Sequence, residues 1–227
     1  MSSKKICLIG ASSDLGMKIA KLCNEIDGLY VYGVSRSKEK ISSLYENMLC
    51  ISSYETSKQE ITNFIQENKI SDIILLNGYI GKNNHPVEKI VRINLSLPLA
   101  LINYFEESDI ENITYTIISS LAASRPREKN FVYGLSKYTL EESLLSRPTG
   151  KYIIFRSGFI RTKMTKNHKE PPFSKNSEQV AEKVIAALTS NQKRISIKYS
   201  SFQIMFLFYL FKVIPLYILN AIERKLV

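Results

Sequence analysis

Tyr133 and Lys137 stand four residues apart, and on a helix that spacing puts a phenol and an ammonium on one face. A free phenol, with a pKa of roughly 10, exchanges protons poorly at neutral pH unless a nearby cation favours its anion. Lys137 supplies such a cation. Ser120 lies upstream at a strand end, where its hydroxyl can hydrogen-bond an oxygen on which charge develops. Its neighbour Ser119 is the other candidate for that role. Together these side chains describe proton transfer to or from a substrate oxygen.

Near the N-terminus, the string Gly10-Ala11-Ser12-Ser13-Asp14-Leu15-Gly16 follows an apolar run. Gly10 permits a tight turn and Gly16 lets the next helix pack closely on its strand. Ser12, Ser13, Asp14 and Leu15, between them, bring backbone N–H groups to a helix start, where a pyrophosphate is held. Ser35-Arg36-Ser37 closes the second strand. A site for an unphosphorylated ribose places Asp or Glu at that point. Hydroxyls and a guanidinium, with Lys38 and Lys40 close by, suit a 2′-phosphate instead, which predicts NADP(H) in preference to NAD(H).

These groups need a scaffold, and the apolar periodicity supplies one. Strands are predicted over Lys5–Ile9, Leu29–Val34, Met48–Ile51, Ile73–Leu76, Ile113–Ser119, Tyr152–Arg156 and Ile195–Ile197. Helices are predicted from Asp14 to about Asn24, over Ser37–Met48, from a capping box at Thr56 or Ser57, and over Val87–Phe105, Tyr133–Leu145 and Ser177–Leu188, the last capped by Asn176. Strict alternation implies a parallel sheet with helices on both faces, because each parallel return needs a crossover. The reading is a doubly wound α/β fold of Rossmann type, with a dinucleotide-binding catalytic domain over residues 1–198 and an apolar helical segment over 199–227.

Composition narrows the class further. The chain has 227 residues, 44% hydrophobic and 23% charged, which is ordinary for a folded domain with a sizeable core. Cys7, Cys23 and Cys50 lack metal spacing, and an odd count argues against a disulfide framework. His85 and His168 sit in polar loops and are assigned no metal or catalytic role. The start, Met1-Ser2-Ser3-Lys4-Lys5, leads straight into a strand and leaves no room for a signal peptide. A reduced, cytoplasmic compartment is expected, and no nucleic-acid-binding motif is present.

The net charge of +10 is uneven: residues 1–150 carry equal numbers of basic and acidic side chains, and the whole excess lies in residues 151–227. That basic region includes the apolar stretch from Phe202 to Leu219, interrupted by Lys212 and Pro215 and followed by Glu223-Arg224-Lys225. A spanning helix needs roughly 20 apolar residues. An interfacial helix or helix pair at an anionic membrane surface, on the inner face, suits this pattern better. Packing against a partner subunit or over the active site is the alternative.

In its motifs the chain resembles the short-chain dehydrogenases/reductases, whose fingerprint is Gly-x-x-x-Gly-x-Gly; here Asp14 stands for the middle glycine. Asn77-Gly78 resembles the family's Asn-Asn-Ala-Gly, and Arg156-Ser157-Gly158-Phe159-Ile160-Arg161-Thr162 its Pro-Gly stretch, with Ser157 for the proline. The resemblance implies that Tyr133 donates a proton to a carbonyl or removes one from an alcohol. It implies that Lys137 lowers the tyrosine's pKa and holds the nicotinamide ribose, and that Ser120 orients the substrate. Asn94, by the same resemblance, supports a proton-relay water, and Thr162 contacts the cofactor's carboxamide and diphosphate. A dimer or tetramer is implied as well. Relatives of cell-envelope polysaccharide synthesis end in similar apolar, basic tails, which suggests a lipid-linked or nucleotide-linked sugar as substrate. A 3-oxoacyl-carrier-protein-type reductase and a non-catalytic NADPH-binding membrane-associated protein are the alternatives.

Overall fold

The structure, a computed structural model, describes residues 3–37, 42–108, 110, 112–190 and 193–225. Its first half runs β1 (Lys4–Ile9), α1 (Asp14–Cys23), β2 (Leu29–Ser35), β3 (Asn47–Cys50), α2 (Lys58–Glu67) and β4 (Asp72–Leu75). Then come α3 (Val87–Val91), a π turn (Arg92–Ser96), α4 (Leu97–Glu107), β5 (Thr114–Ser120), α5 (Phe131–Leu145) and β6 (Lys151–Ser157). Short strands β7 (Ile160–Arg161) and β8 (Lys175–Asn176) pair with each other, and α6 (Ser177–Thr189), β9 (Ile195–Tyr199), α7 (Phe202–Val213) and α8 (Leu216–Lys225) complete the chain.

Among the described residues seven strands form one sheet in the order β3-β2-β1-β4-β5-β6-β9, every pairing parallel. The chain reverses direction across the sheet between β1 and β4, the switch point where ligands bind in such folds. Alternation of side chains along each strand splits the core into two layers. Ile6, Leu8, Ile74, Ile153 and Phe155 face α1 and α6, meeting Ile19, Val180 and Val184. Cys7, Ile9, Ile73, Leu75 and Ile154 face α2, α4 and α5, meeting Ile65, Phe105 and Leu144. Because strands covered on both faces are apolar throughout, they read as continuous hydrophobic runs. The two-sided Rossmann-type architecture is therefore as expected.

Three local expectations are corrected. No helix fills Ser37–Met48: its described part is a short 3-10 turn, Ser42–Leu44, followed by β3, with residues 38–41 outside the described set. Pairing with β2, Tyr32 with Asn47 through Ser35 with Cys50, claims the end of that span as strand. Tyr45, within it, sends its hydroxyl to the Ala11 carbonyl at 2.8 Å. Ser57 caps α2 only by position, because its side chain makes no cap hydrogen bond there. The long helix expected over Val87–Phe105 is present but interrupted by the π turn. At the other end of the chain Asn176 does cap α6, its side chain and that of Gln179 exchanging bonds as a full capping box.

The apolar tail forms two helices that break at Pro215, and among the described residues no helix is long and apolar enough to cross a membrane. Ile204, Phe208 and Leu219 are buried against the domain. The tail also bonds to the loop between β5 and α5: Arg125 donates to the Lys212 carbonyl at 2.9 Å, and the Glu128 amide donates to the Asn220 side chain at 3.2 Å. An Arg224–Glu128 ion pair, Nη2 to Oε2 at 2.5 Å, adds a charged contact.

Candidate active site

The glycine turn takes the form its composition predicts. Gly10 sits at φ +95°, a conformation that L side chains rarely adopt. The amides of Gly10 and Ala11 both bond the Val34 carbonyl, at 3.0 and 3.1 Å, which ties the turn to the end of β2. Ser13 caps α1, its hydroxyl accepting from the Gly16 amide at 3.1 Å. At Gly16 a Cβ would stand 2.8 Å from the Ala11 carbonyl oxygen, so the close packing of helix start and turn depends on that glycine.

At the edge of the turn the Ser35 hydroxyl donates to that of Ser12 at 2.8 Å, and the Ser37 amide donates to Ser35 at 3.1 Å. Arg36 is exposed beside them, its guanidinium 5.8 Å from the centre of the Tyr54 ring. Lys38 and Lys40 lie outside the described residues. Across the switch point, Asn77 keeps a buried side-chain oxygen without a hydrogen-bond partner beside Gly78. A close-packed glycine cradle and an orphaned amide oxygen fit a dinucleotide, and Gly10, Ser12, Ser13, Leu15, Gly16, Ser35, Arg36, Asn77 and Gly78 are the residues that would hold it.

Asp14, the departure from the glycine fingerprint, turns its carboxylate to the far side of the cleft. Its Oδ2 accepts from the Lys163 amide at 2.6 Å. Thr162 is the adjacent residue, with its amide on the Thr165 hydroxyl at 3.0 Å and its own hydroxyl 3.3 Å from the same atom. The glycine turn and the Thr162–Thr165 turn are thus tied together directly.

Ser120, Tyr133 and Lys137, the residues whose sequence pattern suggests proton transfer, lie about the end of β5 and the first half of α5. Gly134 makes this possible: a Cβ there would lie 2.8 Å from the Ala122 carbonyl oxygen, so α5 approaches the 3-10 turn Leu121–Ser124 at backbone distance. The Ser120 hydroxyl accepts from the Ala122 amide at 3.1 Å and lies on the side of the Tyr133 phenol. Burial pushes the Tyr133 pKa up, and the nearby Ser120 hydroxyl opposes that rise. Ser119 faces elsewhere, donating to the Glu141 carboxylate, which leaves Ser120 as the serine at the phenol.

Lys137 is buried, and its Nζ donates to the Ile118 carbonyl at 2.9 Å. Desolvation lowers its pKa to about 8, against the opposing attraction of Glu141. In this arrangement the influences on the phenol are its burial and Ser120, while the ammonium is held by β5. Asn94 occupies the π turn, a helical defect frequent at functional sites. Its side chain is fully engaged: Nδ2 donates to the carbonyls of Tyr79 and Ile90 at 2.6 and 2.8 Å, and Oδ1 accepts from the Tyr79 amide at 3.2 Å. Asn94 therefore clamps the loop after β4 beside Asn77 and Gly78.

Sequence reasoning missed Glu141 and Arg156. Arg156 is 4% exposed and Glu141 1%, and they form a forked pair in which Arg156 Nε and Nη2 donate to Glu141 Oε2 at 3.0 and 2.6 Å. The available signal was a carboxylate one turn past Lys137, on the same helical face as Lys137, Leu140 and Leu144. No cluster of metal-ligating side chains occurs among the described residues. Cys7 and Cys23 are buried thiols pushed up to about 12 by desolvation.

No protein-family model matches the chain. Its architecture is similar to a short-chain dehydrogenase from Burkholderia cenocepacia in complex with NADP, with a TM-score of 0.76 and 16% identity over 94% of this chain and 99% of that one. A short-chain dehydrogenase from Streptomyces avermitilis aligns with a TM-score of 0.74 and 14% identity, covering 99% of this chain and 96% of that one. An alcohol dehydrogenase from Thermococcus sibiricus complexed with 5-hydroxy-NADP aligns with a TM-score of 0.70 and 15% identity, covering 87% of this chain and 96% of that one. The chain has the fold of the short-chain dehydrogenases/reductases.

Proposed function

We propose that the chain is an NADP(H)-dependent oxidoreductase of the short-chain dehydrogenase/reductase family, interconverting a ketone and a secondary alcohol. The observation that carries this reading is the gathering of Ser120, Tyr133 and Lys137 about the carboxyl end of β5, the same end of the parallel sheet as the glycine turn after β1. A bound nicotinamide nucleotide supplies or accepts the hydride. Ser120 holds the substrate oxygen, and the Tyr133 phenol gives it a proton in reduction or takes one in oxidation. Lys137, held on β5 by the Ile118 carbonyl, holds the nucleotide's ribose with its ammonium.

A lysine titrating at about 8 is charged below that pH and neutral above it. Turnover should therefore fall as pH rises through about 8, which a pH–rate profile checks.

Arg36, Ser12 and Ser35 support the choice of nucleotide, because a guanidinium and paired hydroxyls complement a 2′-phosphate. In a fluorescence titration, NADPH should bind tightly and NADH weakly. Arg36→Gln should weaken NADPH by about ten- to a hundredfold, the loss of a charge-assisted contact, with NADH little changed. Equal affinities in the native protein would overturn the preference.

The substrate is read as a lipid-linked or nucleotide-linked sugar. The feature that supports a lipid surface is the exposed stripe Phe202, Phe206, Tyr209 and Val213 on α7, with Tyr217 beyond it on α8. A carrier-protein substrate does not need such a stripe. Vesicles of mixed phosphatidylglycerol and phosphatidylcholine should sediment the protein. The variant Phe206→Asp/Val213→Asp should partition at least about tenfold less, since each apolar side chain contributes about 1.5–3 kcal/mol when buried. Unchanged partition would remove the membrane from the reading, and the chain would then act on a water-soluble substrate.

A further inference from the structure

Glu141 and Arg156 form a buried ion pair that the proton-transfer scheme does not use. Burying two charges is unfavourable unless the geometry is good and the remaining hydrogen-bonding groups are satisfied. Here they are satisfied. Glu141 takes the forked guanidinium and the Ser119 hydroxyl, and Arg156 Nη1 donates to the Tyr199 hydroxyl at 2.7 Å. The Phe208 ring closes the chamber, its centre 3.8 Å from the guanidinium carbon.

The placement of this pair relates it to the site. Glu141 is one turn beyond Lys137 on α5, and Ser119, its hydroxyl partner, immediately precedes Ser120 on β5. In the sheet register Ser119 faces Arg156 directly. The pair therefore ties the C-terminal half of α5 to the ends of both β5 and β6, and it places a carboxylate one turn behind the ammonium.

We propose that the Glu141–Arg156 pair is a positioning device for Lys137, locking the helix that carries it and holding its side chain in the charged form. The inference rests on the reading of Lys137 as a member of the proton-transfer set. The titratable groups around Lys137 are Tyr133 and Glu141 on its own helix and, behind Glu141, Arg156 on β6. On β5 the neighbours are the Ile118 carbonyl and two serines. The π turn packed on α5 carries the neutral Asn94 and an exposed Arg92 paired outward with Glu55. Glu141 is thus the anionic group placed to favour the ammonium, and it is the opposing influence on a side chain that burial otherwise discharges.

The test reads Lys137 itself. In protein labelled with ¹³C at lysine Cε, its resonance is the one lost in Lys137→Arg, and its titration midpoint is followed by NMR without substrate or nucleotide. Glu141→Gln should lower the midpoint by about one unit, a tenfold loss of proton affinity. If that variant does not fold, Glu141→Leu/Arg156→Met is read against Arg156→Met, so that the pair of variants differs in the carboxylate alone, and its midpoint should again be the lower. A folded variant without the Glu141 carboxylate in which Lys137 titrates at the midpoint of its carboxylate-bearing counterpart would overturn the proposal. Because no turnover is read, this outcome is separate from whether the chain proves to be an oxidoreductase.

Discussion

Tyr133→Phe should lower turnover of a carbonyl substrate by about 10²–10⁴-fold, the usual worth of a positioned general acid or base, while NADPH affinity changes little. The substitution removes one oxygen and keeps the ring. Ser120 would keep the Ala122 amide. The backbone of α5 should not move, since its approach to the 3-10 turn is set by Gly134 and not by the phenol. A comparison of kcat in a ketone screen with nucleotide affinity by fluorescence separates the two effects. Retained turnover would take the phenol out of the chemistry and leave Ser120 and Lys137 to be reinterpreted as structural.

The largest effect on stability should come from Arg156→Met. It strands the Glu141 carboxylate in a site that is 1% exposed, and breaking one side of a buried pair costs about 3–5 kcal/mol. For a domain of this size each kcal/mol moves Tm by about 2–4 °C, so a loss of roughly 6–20 °C is expected in thermal unfolding followed by circular dichroism. Replacing both partners, as Glu141→Leu/Arg156→Met, should restore most of it, because two apolar side chains leave no charge without a counterpart. A single variant as stable as the native protein would mean that water reaches the chamber despite the Phe208 ring.

Much of this architecture is legible in the sequence, for physical reasons. Strands covered on both faces must be apolar throughout, so β1, β4 and β6 announce themselves as uninterrupted runs. Tyr133 and Lys137 were found because a helix brings positions four apart together, and the glycine turn because Gly10 needs a positive φ. What escaped depends on contacts between distant segments. The Asp14 bond to the Lys163 amide joins residues at opposite ends of the domain, and no local pattern encodes it. The helix expected over Ser37–Met48 failed for a similar reason, since β2 draws Asn47–Cys50 into the sheet. Asn94 is read, by resemblance, as the support of a proton-relay water, whereas its side chain in the structure holds the backbone of Tyr79. The tail's sequence suits an interfacial helix or helix pair, or packing on a partner subunit or over the active site, and its return onto the loop after β5 rests on contacts between distant segments that no local pattern encodes.

That return has a consequence for how the protein comes into being. A chain is made from its N-terminus, and domains tend to fold in that order as they emerge. Here the last sheet strand, β9, and the ring that closes the Arg156 chamber both belong to the final part of the chain. The first six strands of the sheet can assemble earlier, but the guanidinium on β6 faces water until Tyr199 and Phe208 arrive. The domain therefore reaches its finished interior only once Phe208 has been made, and a ribosome that stops before Phe208 releases a chain with an open charge pair at its centre.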